Sequence, residues 1–341
     1  MRLRVLGIST IAVPVLAWAC VGDAPVATPN DGGSDSNTSV DSGADVQDAA
    51  LGDVVAADVG SDGPIDAGPR CDPTKDFDAP VLEPVVNTAL DEDIGRLSSD
   101  ELELYLTRQD PGGKRVFRYT RAQPADPWGA PSVQTTLTVA GPAIPASVGL
   151  SLEPAGLNAY IAVLQTDGTW RITFTTRPNL GAAWQAPVIL TGTHGADGTD
   201  EQPWINRDAT RLYFMSNRGG GVFRVYVSPF SNGVFQAASL VDAPDSANES
   251  RYPVLSDDEL TMYFSSYDST NGLRAYKKTR SSIGGPWSAR TVVPAVNGSG
   301  LNSGSRTYPT WLSKDTCVMY LNTNRGGGVG LHDVWRATKP K

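Results

Sequence analysis

An all-β fold, a five-bladed β-propeller closed by its own N-terminal strand, is predicted by three features of this sequence: a repeat of 50 to 57 residues, a four-part pattern within each repeat, and a fourth part displaced to the other end of the domain. The repeat is anchored on an apolar residue in LSSDELELYL from Leu97, LEPAGLNAYI from Leu152, INRDATRLYF from Ile205, LSDDELTMYF from Leu255 and LSKDTCVMYL from Leu312. Eight residues after each anchor stands a tyrosine: Tyr105, Tyr160, Tyr213, Tyr263 and Tyr320. Three after it stands Asp100, Asp208, Asp258 or Asp315, with Ala155 in the second copy. An aspartate there suits a tight turn, since its carboxylate accepts a backbone N–H two residues on. The run around each tyrosine is apolar without a polar alternate, as in a strand covered on both faces.

A third part follows a polar or Gly-rich turn: VFRYTR from Val116, WRITFTTR from Trp170, VFRVYVS from Val222, LRAYKKTR from Leu273 and VWRATK from Val334. In the turns Asn217-Arg218-Gly219 and Asn324-Arg325-Gly326 the glycines can supply positive φ for a hairpin. The fourth part is an aromatic-x-Ala signature at Trp128, Trp184, Phe235 and Trp287. After the fifth repeat the sequence leaves no room for it, yet Phe77-Asp78-Ala79-Pro80 stands before the first repeat, followed by extended Val81 to Val85. Five copies of every part exist only if that N-terminal strand completes the last blade, which leaves no blade edge open. The periodic tyrosines and tryptophans are read as blade-to-blade packing rather than a sugar-stacking platform.

The blade pattern, best in RDATRLYFMSNRGGG, SKDTCVMYLNTNRGGG and VYVS at Val225 to Ser228, resembles the TolB-like, WD-repeat-like β-propeller family over residues 77–339. The resemblance implies the fold and leaves function open.

Ahead of the repeats, Arg2 and Arg4 precede an apolar run, Val5 to Trp18, too short for a comfortable membrane span, and then Ala19-Cys20. This is an export signal. Small residues before a cysteine resemble a lipobox, which implies that Cys20 is acylated and becomes the new N-terminus; plain secretion is the alternative. Val21, where Asp would retain the protein at the inner membrane, implies an outer-membrane lipoprotein of the cell envelope, facing the periplasm or the outside. Residues 21–70 hold ten Asp, no Glu, no aromatic residue and a single cation, Arg70, and are expected to form a disordered tether. That tether carries −9 and the leader +2, so residues 71–341 carry only −2 of the total −9. No basic stripe with interleaved aromatics suggests a nucleic-acid partner. The Asp-rich stretch lacks the ligand spacing of an EF-hand, and calcium enters only as a structural possibility for the propeller.

With Cys20 acylated, Cys71 and Cys317 remain as one possible disulfide in an oxidising compartment. Cys71 lies six residues before Phe77 and Cys317 lies in the blade that the N-terminal strand joins; a buried free thiol at Cys317 is the other reading. Only His194 and His332 exist, in different repeats, and no Gly-x-Ser-x-Gly, P-loop or Cys-x-x-Cys occurs, so a metal centre or a Ser/His or Cys/His nucleophile has no support. The segments entering the innermost strands carry Asp91, Asp93, Asp200, Glu201, Glu249, Arg251 and Arg306, candidates to bind a ligand at the channel mouth. Arg218 and Arg325, on equivalent turns, could hold an anion or brace the turn. The sequence is thus read as a membrane-tethered, monomeric binding or scaffold module for a protein, cell-wall or carbohydrate partner, with no catalytic residue assigned. The alternative is a carbohydrate-active hydrolase built on the mouth carboxylates.

Overall fold

The computed structural model describes residues 69–341 except 112, 139–146, 196, 220 and 242–248. The leader with Cys20 and the tether up to residue 68 lie outside the described residues. Five antiparallel sheets follow one another along the chain. Blade 1 comprises Asp91–Leu97, Glu103–Asp110, Gly113–Thr120 and Ser132–Val133, running from inner to outer strand. Blade 2 comprises Ser147–Leu152, Asn158–Leu164, Trp170–Thr176 and Val188–Ile189. Blade 3 comprises Asp200–Ile205, Arg211–Ser216, Arg224–Ser231 and Ser239–Leu240, with Val234–Phe235 folded back on its third strand. Blade 4 comprises Arg251–Leu255, Thr261–Asp268, Gly272–Thr279 and Thr291–Val292. Blade 5 has only Thr307–Leu312, Val318–Thr323 and Asp333–Thr338 from its own repeat. Its outer strand is Val81–Leu82, which pairs with Arg336 and Trp335. Every outer strand is two residues long, so each blade ends in an edge too short to recruit another chain.

The turn between inner and second strands explains the aspartate of the repeat. Asp100, Asp258 and Asp315 each accept a serine hydroxyl at 2.6 Å and the backbone N–H two residues on. In blade 3 Asn206 takes over this work, accepting the N–H groups of Thr210 and Arg211 at 2.8 Å. The next residue is left-handed in every blade: Glu101, Gly156, Ala209, Glu259 and Thr316 have φ between 53° and 67°. At Glu259 and Glu101 that unusual backbone aims a carboxylate at neighbouring elements. Glu259 receives Arg211, the Tyr213 hydroxyl at 2.6 Å and Asn206, tying blade 4 to blade 3. Glu101 receives Arg70, which also pairs with Asp315 of blade 5.

The blades are joined by one aromatic seam repeated around the ring. The tyrosine of each blade meets the aromatic-x-Ala ring of the next. Tyr105 packs edge-on against Trp184, Tyr160 against Phe235, and Tyr263 against Phe77, with ring centroids 5.6 to 6.2 Å apart. Tyr213 and Trp287 share one apolar cluster, and Tyr320 and Trp128 another. Each edge-on pair contributes about 0.5–1.5 kcal/mol beyond its buried area. The cation ending the third strand caps the seam: Arg121, Arg177 and Arg280 lie 4.1 to 4.5 Å over Trp128, Trp184 and Trp287, and Lys339 lies 5.1 Å over Phe77. Blade 3 substitutes Phe230, 5.0 Å from Phe235. The three arginines also donate through Nε to the carbonyl of the left-handed turn residue, Glu101, Gly156 or Glu259. Phe77 therefore completes the circle by the same contact that joins the other blades. Beside it Cys71 and Cys317 form a disulfide, with Cα atoms 5.6 Å apart, that closes a loop of 246 residues.

Phe77→Ala should cost about 3–5 kcal/mol in urea denaturation, as for a buried aromatic. Reducing the disulfide should cost a further 2–5 kcal/mol or so; a Phe77→Ala chain that unfolds like its parent refutes closure through this ring. Burial would raise the Glu259 carboxyl, but hydrogen bonds from Arg211, Tyr213 and Asn206 outweigh it and hold the group below its ordinary value of 4.5. Its contribution is then present above that value and lost as the pH falls through the depressed one. Glu259→Gln should destabilise by about 1.5–3 kcal/mol at neutral pH, and the difference from the parent should shrink on acidification.

Candidate functional site

Each inner strand carries a bulge at one place, three residues before the anchor. In blade 1 Asp93 pairs with Thr107 and Arg96 with Tyr105, so Ile94 and Gly95 share one partner residue. Blades 2, 3 and 4 shift register at the equivalent points, and Ile94, Gly149, Gln202 and Tyr252 there have φ between 53° and 68°. Pro309 takes this position in blade 5, where the shift lies between Pro309 and Trp311. Four residues before the anchor, the five blades contribute Asp93, Val148, Glu201, Arg251 and Tyr308, one each. Six residues before it stand Asp91, Thr199, Glu249 and Arg306 in blades 1, 3, 4 and 5. Asp91 and Asp93, two apart on one strand, share a face, and Glu249 reaches Arg251 of the other row, so these two rows meet at one mouth.

The row at four before the anchor is a coupled set. Asp93 accepts the Tyr308 hydroxyl at 2.6 Å and lies 3.5 Å from the Lys114 ammonium. Tyr308 stacks on Tyr252 with centroids 4.3 Å apart. Burial and the nearby Asp93 charge push both phenols well above their usual range. Glu201 differs from its neighbours: its carboxylate makes no hydrogen bond or ion pair among the described residues. Burial pushes it up to about 7, Arg251 pulls it back, and the negative charge of Asp93 adds to the rise. A carboxylic acid that keeps its proton near neutrality thus faces the same mouth as a carboxylate held by a phenol and an ammonium.

The outer row is paired off. Asp91 meets His332 Nδ1 at 2.8 Å; that bond raises the imidazole above its ordinary value, while burial, which would raise Asp91, is outweighed by the His332 bond and the His332 and Lys114 charges together, so Asp91 stays below its own. Glu249 pairs with Arg251 at 2.7 Å, and Arg251 lies 4.4 Å over the Phe223 ring. Arg306 folds back on its own turn, donating to the carbonyls of Ser303 and Ser305.

One expected mouth residue is misplaced. Asp200 precedes Glu201 directly, so the strand turns it to the opposite face. It is 1% exposed and receives Arg218 at 2.6 Å and His194 Nδ1 at 2.8 Å. Arg218 and Arg325 are also consumed internally. Arg218 donates to the Thr193 carbonyl and lies 4.7 Å over Tyr226. Arg325 donates to the Val296 carbonyl and lies 5.2 Å over Trp335, with burial lowering it to about 10. Each brace ties the segment entering a blade to a turn of that blade, which leaves no fork free for an anion. Among the described residues no three His, Cys, Asp or Glu side chains group so as to hold a metal ion, which leaves the calcium expectation without a ligand set there. Tyr308, Tyr252, Lys114 and His332 belong to the mouth although their sequence positions were not singled out.

No protein-family profile and no curated protein matches the chain. Solved structures do. A thermostable family-43 glycoside hydrolase is 12% identical, covering 75% of this chain and 92% of its own, with a TM-score of 0.52. TolB from Acinetobacter baumannii is 11% identical over 77% of this chain with a TM-score of 0.44, and the match spans only 63% of that TolB. An α-L-arabinofuranosidase from Podospora anserina, in complex with cellotriose, is 13% identical over 79% of this chain with a TM-score of 0.48. At 12% identity the likeness shows the fold alone, not a TolB family in particular.

The raised Glu201 carboxyl has a measurable consequence. Its folded value of about 7 exceeds the ordinary 4.5. The stability it lends is therefore whole below the ordinary value and is lost as the pH rises through the raised one. Glu201→Gln should gain stability relative to the parent between about pH 5 and about pH 8, read as the difference in Tm. A pH-independent difference places the carboxyl in solvent instead.

Proposed function

We propose that the protein is a carbohydrate-active hydrolase whose reacting groups are Glu201 and Asp93. One observation carries this reading: a carboxyl raised to about 7 and without a hydrogen bond among the described residues faces the same mouth as a second, hydrogen-bonded carboxylate. Two carboxyl groups in unlike environments are the requirement for cleaving a glycosidic bond. Glu201 donates its proton to the departing glycosidic oxygen as the bond to the sugar carbon breaks. Asp93, oriented by Tyr308 and Lys114, takes the proton of the water that attacks that carbon. The propeller shared with a family-43 glycoside hydrolase supports such chemistry on this architecture without specifying a substrate.

The second reading is a binding or scaffold module for a protein or cell-wall partner. It is favoured by the pairing of Asp91 with His332 and Glu249 with Arg251, which leaves few groups free to react. In either case the leader and tether fit an outer-membrane lipoprotein anchored through Cys20, with the propeller held off the bilayer by an acidic spacer.

Full-length protein assayed against a panel of oligosaccharides and aryl glycosides for released reducing ends decides between the two. Hydrolysis should appear, decline as the pH rises through about 7, and fall by about 10²–10⁴-fold in Glu201→Gln and in Asp93→Asn. Saturable glycan binding without turnover transfers the assignment to the binding reading.

A further inference from the structure

The far mouth of the channel, where the inner strands end, holds a cavity of about 310 Å³ lined by residues of all five blades. One residue before the anchor, the blades present Arg96, Ser151, Trp204, Val254 and Trp311. Four of these, Arg96, Ser151, Trp204 and Trp311, line the cavity. Both indoles are fixed edge-on against the tyrosines of their own blades, Tyr213 and Tyr320, at 5.8 and 6.0 Å. Ser151 is used as an acceptor by the Ile205 N–H. Arg96 is the exception. It is 3% exposed, its Nε has no hydrogen-bond partner, and no carboxylate pairs with it among the described residues.

Every other arginine discussed above is matched. Arg121, Arg177 and Arg280 cap rings and carbonyls, Arg218 meets Asp200, and Arg211 meets Glu259. Of the acids of the cavity wall, Asp100 is already engaged by Ser98 and the Leu102 N–H, and Asp257 by Arg207. A buried guanidinium left without an anion is costly, and burial lowers Arg96 to about 9 with no partner to oppose it. The fork of an arginine matches a planar carboxylate, and an indole offers a flat face to a ring.

We propose that this far mouth is a second ligand site, which takes a small organic carboxylate by pairing it with Arg96 and laying its carbon skeleton against Trp204 and Trp311. A sugar acid and an amino acid both carry that chemistry. The inference stands apart from the hydrolase reading, because it concerns the opposite end of the channel and is read by binding rather than turnover.

The test is calorimetric titration of the full-length protein with glucuronate, glucose, glucuronamide, alanine and acetate. Glucuronate or alanine should bind, acetate should compete with it, and glucose and glucuronamide, which lack the charge, should not bind. Whichever of the two binds more tightly identifies the sugar or the amino-acid source. Arg96→Met should weaken binding by about ten- to a hundredfold. It should also raise the Tm of the ligand-free protein by about 2–4 °C, because an unpaired buried charge is removed. Should the methionine variant fail to fold, Arg96→Lys, which keeps the charge without the fork, is expected to fold and to bind more weakly. Equal binding of glucuronate and glucuronamide, no binding of either carboxylate, or an Arg96 variant with parental affinity overturns the proposal.

Discussion

Everything else in this molecule depends on the seam in which a tyrosine of one blade packs against the aromatic-x-Ala ring of the next. A propeller blade cannot bury both of its faces alone, so the ring is stable only when every blade has two neighbours. Three of these contacts are made by consecutive repeats, and a fourth, Tyr320 with Trp128, joins the fifth repeat to the first. The fifth, Phe77 on Tyr263, needs a segment from the far end of the domain. The disulfide and Arg70, which bridges Glu101 and Asp315, hold that segment in place. Three kinds of interaction thus converge on one closure, and loss of any of them acts on the whole ring rather than on one blade.

Closure fixes where the inner strands lie, and the bulges then decide what they show to the channel. A left-handed Ile94, Gln202 or Tyr252 is unfavourable in isolation, since side chains with a Cβ crowd the backbone there. Recurrence at one height in four blades turns that local cost into geometry: the strand re-aims at that point, and the residues just before it form a row around the mouth. Gly149 illustrates the tightness, because a Cβ on it would come within 2.2 Å of Gln202 Oε1 in the next blade.

The repeat, the turn aspartates and the displaced fourth strand were legible because they are one-dimensional patterns. A tyrosine eight residues after an apolar anchor needs no three-dimensional knowledge to be found. The mouth was half legible. Asp93, Glu201 and Arg251 stand at one offset from the anchors, and extending that alignment to the fifth repeat would have added Tyr308. Strand alternation likewise forbids Asp200 and Glu201 from sharing a face, a rule the list of mouth carboxylates overlooked. Lys114 stands near the start of a third strand and His332 just before one, each after a hairpin turn whose length varies between repeats, so no fixed offset points to them. The arginine closing YTR, TTR and KTR recurred visibly in the sequence, yet its role over the seam ring depends on side-chain reach, which periodicity does not encode.

Pairing, more than the presence of charge, separates structural from functional groups here. Glu92 sits fully buried against Arg108, and Asp200 against Arg218, and such pairs on the blade-facing side of the strands complete one another. Glu201 and Arg96 lack such a partner among the described residues, and they are of opposite sign at opposite mouths. Glu201 is an acid that burial drives toward neutrality, and Arg96 is a base that burial drives the same way. Each would be more stable as an apolar residue of its size, since an unmatched buried charge lowers stability wherever nothing is bound. Their chemistry is left for something the channel receives: a basic oxygen at the Glu201 mouth and an acid group at the Arg96 mouth.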